Sequence, residues 1–450
     1  MASRLVLIEA ASLFAGAFGM LFVWRETAAE HGQGMGVIGS AAVILALCCL
    51  TTFYLNDLYD LRIVRGFKEF APRLVQSMGL VFIPVGMWVA LSPGARRVDQ
   101  LLVAGLVVIA GLVIGVRALF YATLRSVSFQ ERVLFVGAGP LTSTLLREVE
   151  AQPSRRWRVL GVVDDEHSDE AATLRYALLG PLARLDKIID ELKPDRVVVG
   201  LRERRGRLAV AQLLEPRVRG VRVEDGFSVY EQLTGKLAIE SVTPSTLVFS
   251  SDFRQSRLDL ALSRVLSLVV SVVALAVAWP LLLAIALVIR LDSRGPVIFF
   301  HERVGLNGRR FQLLKFRTLR PVDNVASEWA RDNDERITRV GRVLRRYRLD
   351  ELPQFLNILR GELNLVGPRP HPVTNVPLFA ERIPYYSVRS LVRPGVTGWA
   401  QVHFGYANDL DEETEKMRYD LYYIKHVSIG LDLWILFHTV KIVLFGRGGA

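Results

Sequence analysis

The chain has 450 residues, 51% of them hydrophobic, and a formal net charge of +11. That apolar share excludes an ordinary soluble enzyme and fits an integral membrane protein of two or three domains. The basic excess would also suit nucleic acid, but no zinc-finger spacing or aromatic-studded basic sheet accompanies it, so no nucleic-acid partner is expected. Its arginines flank apolar segments or crowd the second half, which favours anionic head groups and phosphorylated substrates. The cysteines, Cys48 and Cys49, sit side by side in an apolar run and can build neither a metal cage nor a disulfide framework.

Four apolar segments open the chain, at about Leu5–Trp24, Met35–Asn56, Leu74–Leu91 and Leu101–Arg117. Each approaches the roughly 20 residues that cross a bilayer core. Arg4 ahead of the first imitates a signal peptide, yet three more segments follow at once, so an uncleaved helix is expected. Glu9 within it is a candidate functional acid, weighed against simple snorkelling or pairing near a helix end. The connection with Arg62, Arg65, Lys68 and Arg73 is basic, as is the exit with Arg117, Arg125 and Arg132. The other connections are short and less basic, although one holds Arg96 and Arg97. The positive-inside rule then puts the N-terminus and the region after Arg117 in the cytoplasm.

From Arg132 the pattern becomes α/β. Val133–Val136 reads as a buried strand, followed by Gly137-Ala138-Gly139 and a helix to about Glu150. A strand over Val159–Val163 ends at Asp164-Asp165, and a helix near Ala183–Leu192 precedes a strand over Arg196–Gly200. That order is a βαβ unit with a parallel sheet. Gly137-x-Gly139 with a later acid is half of a dinucleotide fingerprint. Thr142 stands where the third glycine belongs, so a Rossmann-like module without dinucleotide chemistry is expected.

A linker with Gly235, Pro244 and several serines leads to Val265–Ile289, about 25 uncharged residues and ample for a span. A fifth crossing would put Arg290–Ala450 outside the cell. Arg257 and Arg264 on one flank, and Arg290, Arg294, Arg303, Arg309 and Arg310 on the other, instead place both ends on the cytoplasmic face. Trp279-Pro280 lies past the middle, where proline removes a hydrogen bond and bends a helix. A helix that enters, breaks at Pro280 and returns satisfies both flanks. The tail Leu433–Phe445, short and carrying His438 and Lys441, reads as a helix lying in the interface.

The chemistry concentrates at Arg348-Leu349-Asp350-Glu351-Leu352-Pro353-Gln354. Asp350 fits a helix N-cap, with Glu351, Leu352 and Pro353 in the first turn and Gly361 at the end. Leu352, Phe355, Leu356 and Leu359 recur at helical spacing and predict a buried stripe. Alone, such an acid pair is an ordinary cap. Here Arg339, Arg342, Arg345, Arg346 and Arg348 precede it, and Arg360 and Arg369, the latter between Pro368 and Pro370, follow. Clustered guanidinium groups repel unless anions intervene. Phosphoryl transfer uses this equipment: a carboxylate nucleophile, a second carboxylate for Mg²⁺, and cations to neutralise developing charge. For Arg342, Arg345 and Arg346 the alternative is a solvated basic face on the membrane surface.

Five blocks in order carry a resemblance over about Arg257 to Gly446: Lys315–Leu319, Asp350–Gln354, Leu365–Pro370, Arg393–Gln401 and Asp420–Ile424. This region resembles the polyprenyl-phosphate hexose-1-phosphate transferases, the bacterial sugar transferases that start exopolysaccharide and O-antigen repeat units. The resemblance implies a re-entrant membrane helix, a cytoplasmic active site and a Mg²⁺-dependent two-step reaction at the bacterial inner membrane, among its lipids. By it, Asp350 attacks the β-phosphorus of a UDP-sugar, releasing UMP and leaving a phosphosugar-aspartyl intermediate. Glu351 binds the metal, and undecaprenyl phosphate then takes the sugar phosphate. Arg369, Pro368 and Pro370 resemble a nucleotide- or phosphate-contacting motif, and Arg348 joins them at the substrate. Lys315 and Arg317 resemble further substrate-site residues, with a structural role equally open. Trp279-Pro280 departs from the Ser-Pro that small members often have at the membrane break.

The whole resembles the large members of that family: a four-helix transmembrane domain over 1–122, a cytoplasmic Rossmann-like module over 130–245, and a transferase domain over 257–450 with a re-entrant hairpin at about 262–289. The fold class expected is a membrane protein combining an α-helical bundle, an α/β Rossmann-like module and a mainly α re-entrant-helix catalytic domain. Phe227–Lys236 is similar to the subgroup found with exosortase-linked clusters. Rival readings are a nucleotide-sugar oxidoreductase or dehydratase working through the module, which lacks a complete glycine turn and a Tyr-x-x-x-Lys pair, and a non-catalytic assembly scaffold, against which the intact acid pair speaks. Homo-oligomer formation, the module's ligand and the sugar stay open, with glucose the first expectation because no motif reads a hydroxyl.

Overall fold

A computed structural model describes residues 8–16, 35–56, 58–59, 67–91, 99–125, 130–151, 157–165, 176–201, 210–239, 253, 255–320, 335–405 and 407–445. The connections holding Arg62 and Arg65, Arg96 and Arg97, and the linker around Pro244 lie outside them. The chain divides into two compact units, Met1–Glu224 and Asp225–Ala450.

In the first unit, helices cover residues 8–16 (α1), Met35–Leu55 (α2), Phe67–Leu91 (α3) and Asp99–Arg125 (α4). They enclose a core of Leu13, Leu45, Phe53, Phe70, Ile109 and Val113. Leu47, Val75, Phe82, Val107 and Leu119 point outward, while the charges turn inward. Glu9 and Arg117 are both fully buried and form an ion pair, and Arg117 also donates to the Leu58 carbonyl at 2.8 Å. Asn56 donates to Ser77 at 2.9 Å. Apolar outside and ionic inside is the arrangement that hydrocarbon surroundings impose. Glu9 is therefore paired.

The α/β part has the expected parallel pairing. Strands β1 (Glu131–Val136), β2 (Trp157–Val163), β3 (Arg196–Val199) and β4 (Arg222–Asp225) run in the order β2-β1-β3-β4. Helix α5 (Pro140–Ala151) makes the first crossover; α6 (Leu185–Leu192) and α7 (Val210–Val218) follow. Val133–Val136 are all buried, the mark of a strand covered on both faces. Thr142 fits where the absent glycine would be because Gly200 has no Cβ: one there would sit 2.2 Å from the threonine hydroxyl.

The second unit opens with α8 (Gly226–Thr234), which packs on the unit's C-terminal part: Lys425 donates to Glu231 at 2.8 Å and Trp399 to the Gly235 carbonyl at 2.7 Å. The long helix α9 (Arg257–Asp292) is capped by Ser256. The antiparallel pair β5 (Ile298–Val304) and β6 (Arg310–Phe316) follows, then α10 (Arg339–Arg346), α11 (Gln354–Arg360), β7 (Asn364–Val366), α12 (Val376–Arg382), β8 (Gly395–Thr397), α13 (Trp399–His403), α14 (Leu410–Lys425) and α15 (Ile429–Phe445). The β7–β8 pair is parallel.

Among the described residues α9 is the one helix long and apolar enough to cross a membrane. The expected break at Pro280 is not a break in the helix, which runs on from Arg257 to Asp292 with the proline inside. Proline deletes a single backbone donor and clashes one turn back, so it bends a helix whose other bonds survive. Both halves of the helix are held by the rest of the unit. Arg264 donates to the Ile358 carbonyl at 2.7 Å, while Ile285 and Ile289 share an apolar cluster with Phe316, Leu344 and Leu352. In a straight helix residues 264 and 289 would stand about 38 Å apart. Their partners, 352 and 358, lie on one short helical run, only about 9–12 Å at 1.5–2.0 Å per residue. Both halves of α9 thus have partners in the segments that flank the acid turn.

Candidate active site

Asp350 and Glu351 occupy a single 3-10 turn, Leu349–Glu351, and not the first turn of an α-helix as expected. The α-helix begins only at Gln354, after Pro353, and ends as expected at Gly361 with φ 86°. Arg348 takes a left-handed conformation, φ 52°, just before the acids. A bulky residue held there stores about 1–3 kcal/mol of strain, which the packed neighbours impose.

The predicted stripe on this helix is also corrected. Leu356 and Leu359 are exposed, whereas Gln354, Asn357 and Ile358 are buried. Asn357 explains the inversion. Its Oδ1 accepts from the Leu314 amide at 3.0 Å, and its Nδ2 donates to Glu362 at 2.6 Å and to the Gln312 carbonyl at 2.8 Å. Three specific bonds to β6 and the helix end orient α11 by its polar face.

Cations converge on Glu351. Arg369 Nη2 lies 2.7 Å from Oε1, Lys315 Nζ 3.3 Å from the same oxygen, and Arg348 Nη1 3.6 Å from Oε2. Burial would raise this carboxyl, but Arg369, Lys315 and Arg348 outweigh it and hold Glu351 far below the usual carboxylate range. Lys315 is pushed down to about 8, chiefly by burial and against the pull of Glu351. Asp350 differs. It is buried, and no hydrogen bond to its carboxylate is formed among the described residues. Burial, then the charge of Glu351, raise its pKa. One acid has Oε1 engaged by Arg369 and Lys315 and only Arg348, at 3.6 Å, near Oε2; its neighbour accepts no hydrogen bond, as suits a nucleophile.

Arg369 is aimed by its main chain. The Arg369 carbonyl accepts from Arg389 Nη2 at 2.9 Å, and that of Pro370 from Arg303 at 3.2 Å. The Pro368 carbonyl accepts from the Gly395 amide at 3.0 Å. Around this crossing a Cβ on Gly367, Gly395 or Gly398 would lie 2.1–2.5 Å from a backbone atom, so only glycine fits. Sequence reasoning missed the support behind it. Arg389 pairs with Asp420 at 2.8 Å, and both are buried. His371 lies 2.8 Å from Glu413 through Nε2 and 2.6 Å from the Tyr386 hydroxyl through Nδ1. Burial and the Arg389 charge push His371 down to about 3, so the ring is neutral, with Nε2–H donating to Glu413 and Nδ1 accepting. Lys416, 3.3 Å away, balances Glu413. The available signal was Asp420 at the head of the block Asp420-Leu421-Tyr422-Tyr423-Ile424.

Pro368, Arg369 and Pro370 line a cleft of about 360 Å³ with Gly305, Tyr386 and Arg389. Arg317 is not brought to the acids. Its Nη2 donates to the Ser293 carbonyl at 2.7 Å and hydroxyl at 2.9 Å, fastening the end of α9 to the segment after β6. Trp279 and Pro280 lie inside α9, Trp279 exposed. Among the described residues no group of three or more His, Cys, Asp or Glu is placed to hold a metal. Glu351 fits Mg²⁺ as a single carboxylate ligand, since that ion takes one or two carboxylates and fills its octahedron with water and phosphate oxygens.

In the α/β part the glycine turn is occupied from within. The Ala138 amide donates to Asp164 Oδ2 at 2.6 Å, and Pro140 offers no donor at the start of α5. A carboxylate thus takes up one of the turn's amide donors.

Residues 258–446 match the bacterial sugar transferase family, and residues 54–202 match a CoA-binding domain family. The chain is similar to the UDP-N-acetylgalactosamine-undecaprenyl-phosphate N-acetylgalactosaminephosphotransferase of Aeromonas hydrophila, 37% identical over 59% of this chain and 60% of that protein. It is similar to the undecaprenyl-phosphate glucose phosphotransferase of Komagataeibacter xylinus, 36% identical over 70% of this chain and 59% of the relative. The UDP-glucose:undecaprenyl-phosphate glucose-1-phosphate transferase of Escherichia coli (strain K12) is 32% identical over 70% and 68%, respectively. The chain thus spans about three fifths of the length of the first two relatives.

Proposed function

This chain belongs to the bacterial sugar transferases, the polyprenyl-phosphate hexose-1-phosphate transferase family, and on that premise we propose that it transfers a sugar 1-phosphate from a UDP-sugar to undecaprenyl phosphate. The unengaged, buried Asp350 beside a cation-paired Glu351 is the observation that supports this reading most. The Asp350 carboxylate attacks the β-phosphorus, the bond from that phosphorus to the bridging oxygen breaks, and UMP leaves. The phosphate of the lipid then attacks the same phosphorus and frees Asp350, giving lipid diphosphosugar. Lys315, Arg348 and Arg369 neutralise charge as it shifts across the diphosphate. Mg²⁺, which Glu351 would hold, would supply Lewis-acid neutralisation of the departing phosphate. The three relatives are named for two different sugars, and glucose and N-acetylgalactosamine head the donors to try.

Pro280 inside α9, with partners for both halves of the helix in the transferase part, supports a helix that dips into the inner leaflet and returns. The outward apolar faces of α1–α4 support four spans ahead of it. Together with the basic flanks, these features support an active site and an α/β part on the cytoplasmic side of the bacterial inner membrane. The test is chemical. Membranes holding the protein, given labelled UDP-sugar and undecaprenyl phosphate, should yield labelled lipid diphosphosugar and UMP. Asp350→Asn should lower the rate by at least about a thousandfold, and Gly139→Ala should spare it. Full turnover in Asp350→Asn would overturn the assignment.

A further inference from the structure

We propose that the outward stripe of α10, Arg339, Arg342 and Arg346 with Val343 and Tyr347 between them, is the docking surface along which the phosphate of the polyprenyl acceptor approaches Asp350. The inference rests on the proposed transfer and adds where its lipid substrate binds first. Positions 339, 342, 343, 346 and 347 follow i, i+3, i+4, i+7 and i+8, and all five are exposed. The opposite face of α10 is committed to the fold. Val340 and Leu344 pack against Leu282, Ile285 and Ile289 of α9, and Arg345 donates to the Thr318 hydroxyl at 3.1 Å.

Two features separate this stripe from a merely solvated basic face. First, no ion pair or hydrogen bond joins the side chain of Arg339, Arg342 or Arg346 to an acid among the described residues. Three guanidinium groups on one side of an eight-residue helix repel until an anion lies between them. Second, Val343 is 55% exposed between them, and Leu287, Leu291, Phe299 and Phe300 nearby are 51–77% exposed. A stripe that mixes arginine with bare aliphatic and aromatic groups suits the boundary between head groups and acyl chains.

Direction follows from the chain. The stripe ends at Arg346-Tyr347, and the next residues are Arg348, bound to Glu351, and the turn holding Asp350. A lipid phosphomonoester carries up to two negative charges and two or three acceptor oxygens, and its hydrocarbon tail stays in the bilayer beside α9. It therefore complements a membrane-level basic rail.

The test reads binding and turnover separately. Protein in phosphatidylcholine nanodiscs carries Arg342→Gln with Arg346→Gln, and Arg147→Gln with Arg217→Gln in the α/β part controls for lost charge. Binding of polyprenyl phosphate is measured directly on Asp350→Asn backgrounds, which need no turnover. The rail pair should weaken it five- to thirtyfold, since an arginine near a membrane surface contributes about a fivefold factor in affinity. In otherwise native protein the KM for the acceptor should rise similarly, the KM for the UDP-sugar and the acceptor-free burst of UMP should stay, and lysine at both positions should restore most of the affinity. Unchanged acceptor binding would overturn the proposal, as would an effect seen only when phosphatidylglycerol is added, which would assign the stripe to bulk bilayer charge. If native protein binds the lipid through the stripe yet releases no UMP from any UDP-sugar, the proposed activity fails and the docking surface stands.

Discussion

Lys315 and Glu351 set the pH behaviour of the site. Burial holds Lys315 at about 8, so its ammonium is present below that pH and is lost as pH rises through it, leaving Glu351 with Arg369 and Arg348 alone. Initial rates with saturating donor should therefore fall on the alkaline side with a midpoint near 8, and Lys315→Arg, which cannot lose its charge, should abolish that limb. A limb unchanged in Lys315→Arg would assign it to another group. Stability moves the other way: between about 8 and the ordinary 10.5 the unfolded chain holds a proton that the folded one has released, so this residue's destabilisation shrinks as pH rises. The sequence made the acid pair and its arginines visible because they are neighbours. It could not show Arg389 reaching Asp420, 31 positions away, or His371 reaching Glu413, since such pairs exist only after the chain has folded. Arg317 showed the converse: two residues from Lys315 on the same run, yet fastened to Ser293 and not to the acids.

Helices were legible where local rules decide and misread where one polar side chain overrules periodicity. Gly361 ended α11 as its left-handed conformation requires, but Asn357 turned that helix so that Leu356 and Leu359 face out. Pro280 did not end its helix, which runs on to Asp292. At Gly341 in α10, propensity and packing oppose each other. Alanine for glycine inside a helix is ordinarily worth about 1 kcal/mol of stability, but a Cβ there would meet the Thr318 carbonyl at 2.3 Å. That carbonyl already accepts from the Thr338 amide at 3.0 Å and has little freedom to retreat. Gly341→Ala should therefore destabilise the protein by about 1–3 kcal/mol, read as a lower midpoint in thermal unfolding monitored in detergent. A raised midpoint would show that α10 shifts without cost.

At the level of the whole molecule, the catalytic unit begins earlier than the long apolar helix suggests. Residues 226–239 pack with the C-terminal unit: Lys425 on Glu231, Lys236 on Glu415, Trp399 on the Gly235 carbonyl, and the Leu237 amide donating to the Arg418 carbonyl at 3.0 Å. A chain starting at residue 225 should keep most of the transferase activity, whereas one starting at 257 should lose most of its activity and unfold at lower temperature; equal behaviour of the two would remove any role for that segment. The most direct measurement is the mass of the protein after incubation with UDP-sugar and Mg²⁺ in the absence of lipid acceptor, quenched in acid and mapped by peptide. The expected result is one sugar phosphate on the peptide containing Asp350, matched by one equivalent of UMP and discharged when undecaprenyl phosphate is added. Turnover with no adduct, or an adduct on another residue, would contradict Asp350 as the nucleophile.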